Sequence, residues 1–199
     1  VLDRATRTIV AQVEALKTMV NAFSEYSRAP ALQLQALRVS DLVNEVLELY
    51  RSGERKLRVV TRWMSSEPQV FADPGRIRQL LHNLVKNAQE ANEAGDLALE
   101  FTTEVIWNEG NPWLRLSMRD NGPGLPIEII DKLFEPYATT KSGGTGIGLA
   151  IVKQIADEHG GKIHARNDQG GGAIFELHLP VDAGELNSEP PELSAGGTG

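Results

Sequence analysis

Lys141-Ser142-Gly143-Gly144-Thr145-Gly146-Ile147-Gly148 runs straight into Leu149-Ala150-Ile151-Val152, a glycine-rich loop that ends in an apolar helix. Such a junction presents unpaired N–H groups and the positive end of a helix dipole, which suits phosphate. Lys141 adds a point charge for the same anion. The stretch is not G-x-x-x-x-G-K-[ST], because Lys141 precedes the glycines. Nor is it G-x-G-x-x-G, because Gly148 comes one residue early. A P-loop and a Rossmann site are therefore both unsupported. The competing interpretation is a glycine-rich linker, and linkers rarely run directly into an apolar helix.

Two features upstream belong with this loop. Asp120-Asn121-Gly122-Pro123-Gly124 follows a strand candidate. An ionised Asp at a strand end can accept from an exocyclic amine such as that of adenine, and glycines let the backbone approach a flat base. An ordinary Asn-Gly turn is the alternative. Asn83 and Asn87 lie four apart on a helix, so their amides leave one face. Paired carboxamide oxygens suit a hard cation such as Mg²⁺. Two polar residues on a solvent face would look the same.

The surrounding pattern alternates helices and strands. Ser40-Asp41 reads as an N-cap for a helix over 41–51, with Leu42, Val43, Val46, Leu47 and Tyr50 on one side. Leu57–Trp63 and Val70–Phe71 are strand candidates. Asp73-Pro74 opens a helix carrying Ile77, Leu80, Leu81, Leu84, Val85, Ala88 and Ala91 at a 3.6 period, stopping at Gly95. Leu97–Trp107 and Trp113–Met118 read as strands joined by a turn over residues 108–112. Residues 119–147 are irregular apart from a short helix near 127–133, and a stretch of that kind is usually functional. A helix over Gly148–His159 and a strand pair, Lys162–Asn167 and Ala173–Leu179, complete the region.

Residues 1–28 read as one long helix. Leu2, Ile9, Leu16 and Phe23 recur every seven residues, with Ala5, Met19 and Tyr26 three later in their heptads and Gln12 the exception. That is a coiled-coil-like seam, expected to pair with another helix or chain rather than to pack on its own domain, the other arrangement open to such a helix. Arg28-Ala29-Pro30 ends it. The stretch 182–199 is Glu, Pro, Ser and Gly with little apolar content and reads as a disordered tail. The domains expected are thus 1–30, 38–181 and the tail.

Composition sets the outer limits. The chain has 199 residues, Lys+Arg 20 against Asp+Glu 27, a net charge of −7 and no cysteine. Disulfides, thiolate metal sites and a Cys nucleophile are excluded. The acidic balance argues against nucleic acid as a partner. No apolar run approaches the roughly 20 residues that span a bilayer. The start at Val1 reads as an excised fragment, with any membrane anchor lying outside it.

Taken together, Asn83…Asn87, Asp120-x-Gly122-x-Gly124, Leu133-Phe134-Glu135-Pro136-Tyr137 and Gly144-x-Gly146-x-Gly148-Leu149 resemble, in order and spacing, the N, G1, F and G2 boxes of sensor histidine kinases. The likeness covers about residues 40–180. The stretches around Arg4-Ala5-Thr6, Tyr26-Ser27-Arg28 and Phe134–Lys141 look most like nitrogen-regulation (NtrY-type) kinases. The resemblance implies an α/β fold: an α+β two-layer sandwich of the Bergerat ATP-binding kind, preceded by the second helix of a dimerisation hairpin. It implies ATP and Mg²⁺ as ligands, Asn83, Asn87 and Lys141 in catalysis, and Asn87 as the metal ligand. It implies nucleotide contacts from Asp120, Gly122, Gly124, Phe134, Thr140, Gly144, Thr145, Gly146, Ile147, Gly148 and Leu149. Residues 125–147 become an ATP lid anchored by Phe134.

The implied activity is transfer of the ATP γ-phosphoryl group to a His for relay to a response regulator receiver domain. The implied state is a homodimer through the N-terminal helix, cytoplasmic here, with the whole protein anchored in a bacterial inner membrane. Three departures stand out. Glu90 replaces a basic residue, Ala173 replaces a common Thr, and none of His82, His159, His164 and His178 has the context of the family's phosphoacceptor. The hairpin's first helix is expected to lie outside the chain, so self-phosphorylation is not expected of it. A related ATPase of the gyrase, Hsp90 and MutL kind would need a general base, by resemblance a Glu, where Asn83 stands. A degenerate docking module is the non-enzymatic alternative.

Overall fold

The computed structural model describes residues 31–51, 57–92, 96–140 and 144–182, together with Thr6 and Val13, which are helical. The rest of the N-terminal seam, Lys141 and the tail from 183 onward lie outside the described residues.

Five strands form one mixed sheet in the order β2-β4-β5-β7-β6. These are β2 (Leu57–Arg62), β4 (Leu97–Asn108), β5 (Asn111–Asp120), β6 (Lys162–Asn167) and β7 (Ala173–Pro180). β2 runs parallel to β4 and the other pairs are antiparallel. Three helices cover one face: α1 (Val39–Arg51), α2 (Pro74–Ala91) and α3 (Gly148–Glu158). A two-stranded ribbon, β1 (Gln35–Leu37) with β3 (Val70–Ala72), stands beside them. The α/β sandwich expected from the sequence is therefore the observed architecture.

Alternation along the strands decides the layers. Leu99 and Phe101, Leu114, Leu116 and Met118, and Phe175, Leu177 and Leu179 point inward and are almost fully buried. Each such side chain contributes roughly 1.5–3 kcal/mol of burial. The intervening residues face outward and carry ion pairs, among them Arg115–Glu104, Arg119–Asp168 and Arg166–Glu176. Ile77, Leu80, Leu81, Leu84 and Val85 bring the apolar stripe of α2 onto the sheet.

Helix ends explain where the helices stop and start. Asp73 caps α2 as its sequence predicts, Oδ1 accepting from the Gly75 and Arg76 N–H groups at 2.9 and 3.1 Å. Burial works against its charge, but these donors and a third from Gln33 outweigh that and hold the carboxyl below the usual carboxylate range. Arg76 grips Glu158 with Nε at 3.0 Å and a second nitrogen at 2.6 Å, tying α2 to α3. The expected Ser40-Asp41 cap is not how α1 begins. The helix starts at Val39, and the Ser40 N–H donates to the side chain of Glu67, a residue far along the chain.

Two other expectations are corrected. The hairpin joining β4 and β5 turns on two residues rather than five, Glu109 and Gly110, with φ of 51° and 78°. Positive φ at both is the twist that suits a tight hairpin. β5 also continues past Met118, so Asp120 is the last strand residue, paired with Leu99, rather than the start of the loop.

Candidate functional site

Asp120 is buried, 5% exposed, at the end of β5. Its Oδ1 accepts from the Gly122 N–H at 2.8 Å and from the Ala173 N–H at 3.1 Å. The first bond alone would be a local turn; the second comes from across the sheet and makes the carboxylate part of a built slot. The space around it belongs to glycine. Gly172 has φ +93°, and a Cβ there would lie 1.9 Å from the Asp120 carbonyl oxygen. Gly124 has φ +84° and lies against Asn167. Asn121 points away, accepting from the Ala98 N–H at 2.8 Å and donating to the Asp96 carbonyl at 3.0 Å. A buried carboxylate flanked by bare main chain can receive amine donors from a flat ring.

Asn83 and Asn87 are both half-buried on α2. The Asn83 carboxamide oxygen lies 3.8 Å from where a Cβ on Gly148 would stand, so it faces the first turn of α3. Lys86 instead lies along the exposed side, 3.9 Å from Glu90. Among the described residues no group of three His, Cys, Asp or Glu could hold a metal, so a cation here would rest on carboxamide oxygens and water.

The loop from 125 to 147 joins the two. It begins at Leu125, makes a 3-10 turn over Ile127–Lys132 and drops Leu133 into the core at 4% exposure. Phe134 is half-buried against the same core. Leu133, the first residue of the box quoted above, is therefore the deeper anchor, where the resemblance pointed to Phe134. Tyr137 has φ +68° and donates its N–H to the Gly146 carbonyl at 3.0 Å. Gly146 has φ +63°, and a Cβ there would lie 2.6 Å from the Tyr137 carbonyl carbon. Thr140 and Gly144 are exposed and Thr145 is half-buried. Ile147 is buried and Leu149 packs on the core, so what they can offer a ligand is main-chain N–H at the start of α3. Lys141 lies outside the described residues.

The structure thus brings Asn83 against the start of α3 at Gly148, and Gly122, beside Asp120, against Ala91, about one turn beyond Asn87 on α2. It adds Asn167, Gly172 and the Ala173 N–H. Asn167 had no sequence signal, whereas Gly172 lies in a run of three glycines, 170–172, between the last two strands.

A mixed sheet backed by helices on one face, with an aspartate slot at a strand end and a glycine-rich helix start, defines an ATPase domain of the histidine kinase type, a nucleotide-binding class. The sequence profile of histidine kinase-, DNA gyrase B- and HSP90-like ATPases matches residues 72–183, and the chain belongs to that family. The sensor histidine kinase ZraS of Escherichia coli K12 is 32% identical over 86% of this chain and 36% of its own length. The nitrogen regulation protein NtrY of Azorhizobium caulinodans is 35% identical over 100% of this chain and 26% of its own. The chain spans about a third of the length of these curated relatives.

Solved structures agree. The nucleotide-free catalytic domain of the histidine kinase ThkA superposes with a TM-score of 0.66 at 33% identity, covering 75% of this chain and 97% of that domain. Full-length ShkA in complex with AMPPNP gives 0.70 at 30%, over 90% of this chain and 38% of ShkA. ThkA in complex with the response regulator TrrA gives 0.70 at 30%, over 92% of this chain and 52% of that one. Among the described residues no helix is long and apolar enough to cross a membrane.

Proposed function

We propose that this chain is the ATP-binding catalytic region of a sensor histidine kinase that hands the γ-phosphoryl group to a histidine on a partner helix. The observation that carries the reading is the Asp120 slot: a buried carboxylate oriented by two N–H groups, one from the loop after β5 and one from the start of β7, and walled by glycines. Asp120 accepts from the adenine amine, with Gly122 and Gly124 clearing space for the ring. The first turn of α3 faces the phosphates, joined by Lys141 and the glycines. Phe134 holds the lid loop, and Thr140, Thr145, Ile147 and Leu149 line the nucleotide through the same segment.

Asn87 would hold Mg²⁺, with Asn83 beside it, and the metal when bound neutralises phosphate charge. The half-buried, oxygen-bearing carboxamides fit such an ion. In the whole protein the P–O bond to the β-phosphate breaks, an N–P bond to imidazole forms, ADP leaves and the ring gives up its proton. The phosphoryl group then passes to a receiver domain. A homodimer through residues 1–28 and an inner-membrane anchor outside this chain complete the proposal, with this region on the cytoplasmic side. Water activation is disfavoured, because a carboxamide at Asn83 is no general base.

Calorimetric titration with AMPPNP, with and without Mg²⁺, tests the reading beside Asp120→Ala. Magnesium-dependent binding that weakens at least about 30-fold in the variant is expected, within the range for a lost hydrogen bond to a charged group. Equal affinity of the two chains overturns it.

A further inference from the structure

Asn167, at the end of β6, meets the main chain of Leu125 with both of its polar atoms. The Leu125 N–H donates to Asn167 Oδ1 at 2.6 Å, and Asn167 Nδ2 donates to the Leu125 carbonyl at 2.9 Å. The carboxamide stands in for a strand partner, fixing direction as well as distance. Leu125 is the first residue of the lid loop. It follows Gly124, whose absent Cβ would lie 2.8 Å from the same Asn167 oxygen.

The turn that follows Asn167 is braced on its other side. Asp168 pairs with Arg119 at 2.7 Å, and its N–H donates to the Gly172 carbonyl at 3.0 Å. Gly172 leads into Ala173, whose N–H meets Asp120. One β6–β7 connection therefore touches the aspartate slot with its far end and the base of the lid with its near end.

We propose that Asn167 is a positioning residue for the nucleotide. It holds Gly124 and Leu125 in place over the adenine slot and ties the base of the lid to that slot. It touches no reacting atom and acts through the Leu125 main chain. The inference rests on the assignment of Asp120 to the adenine amine. A purely stabilising role is the rival. Asn167 is exposed, and exposed hydrogen bonds at the end of an edge strand add little to global stability.

The test uses the 199-residue chain, Asn167→Ala and Asn167→Asp. The Asp variant keeps an acceptor for the Leu125 N–H but sets a carboxylate oxygen against the Leu125 carbonyl. Titration with AMPPNP and with its guanine counterpart is read beside the melting temperature and the hydrogen exchange of the Leu125 amide. Both variants are expected to bind AMPPNP about tenfold more weakly, the scale of one to two net hydrogen bonds. The preference for adenine over guanine narrows. The Leu125 amide exchanges faster in the Ala variant, while melting shifts by no more than about 2 °C. An unmutated affinity in Asn167→Ala overturns this inference alone, and so does an affinity loss that merely tracks a fall in melting temperature. An unmutated chain that binds no nucleotide overturns the reading of the whole site, and this inference with it.

Discussion

Asp120 and Tyr137 stand on the two sides of the site and are held in opposite ways. Asp120 lies in a strand paired on one side with β4, and beside its carboxylate the start of β7 donates the Ala173 N–H. Tyr137 is 58% exposed, has positive φ, and its N–H is held by one carbonyl, that of Gly146. Between Leu125 and Thr140 only Leu133 is fully buried, and Ile127 is 80% exposed. Segments with few buried contacts open at low free-energy cost, whereas sheet residues open only with the fold. On the proposed reading the difference divides the tasks: recognition of a base needs fixed geometry, which the sheet has, and enclosing and releasing phosphates needs a segment that can open, which the loop offers.

The sharpest way to break the comparison is at the sheet side. Gly172→Ala puts a methyl group where only 1.9 Å separates it from the Asp120 carbonyl oxygen. Positive-φ strain of about 1–2 kcal/mol and overlap of about 1–3 kcal/mol more are expected in chemical denaturation. Gly171→Ala is the control, because Gly171 has φ +92° but nothing within 4 Å. It pays the strain alone. Equal losses in the two variants would mean that the close approach to Asp120 contributes nothing.

A smaller effect is expected on the lid side. Gly146→Ala strains φ +63° and collides with the Tyr137 backbone, yet leaves the sheet alone. AMPPNP affinity should fall about tenfold, consistent with strain of about 1–2 kcal/mol. Adenosine, which has no phosphates for the lid to enclose, should bind as before. A matching loss for adenosine would show the two sides to be one unit and dissolve the contrast.

The same contrast governs what could be read from sequence. The 3.6-residue stripe of α2 and its Asp73-Pro74 start were legible because burial and capping both act locally. The glycines around Asp120 and before α3 marked the site because main chain must approach something there. The start of α1 was not legible: its cap comes from Glu67, which local sequence cannot announce. β1 has three residues, none of them fully buried, and exists through backbone pairing to β3, so it leaves no alternation to see. Asn167 looks like any surface Asn until the fold sets it against Leu125. Ala173, a departure from the family pattern, serves Asp120 through its N–H, which any residue but proline could offer.

The smallest expected effect tests whether the sheet insulates its two faces. His178 lies on the outer face of β7, in register with Arg115 and Lys162, and its ring stands beside that of His164. Burial pushes its pKa below the ordinary histidine range; the nearby charges of His164, Arg115 and Lys162 add to this, and Glu176 opposes them. With the folded pKa below the unfolded one, the unfolded chain binds more protons as the pH falls. The contribution of His178 is therefore complete above its unfolded value of about 6.5 and declines as pH drops through it. Melting profiles from pH 8 to pH 5 should separate the unmutated chain from His178→Gln by about one or two degrees at the acid end. Nucleotide affinity should not follow, because the slot opens on the other face and Asp120 is held by main-chain N–H groups that do not titrate. Parallel melting profiles would remove His178 as the source. An affinity that falls with the melting temperature would mean that charge on the outer face reaches Asp120 through β7, and the sheet side would no longer be the fixed half of the pair.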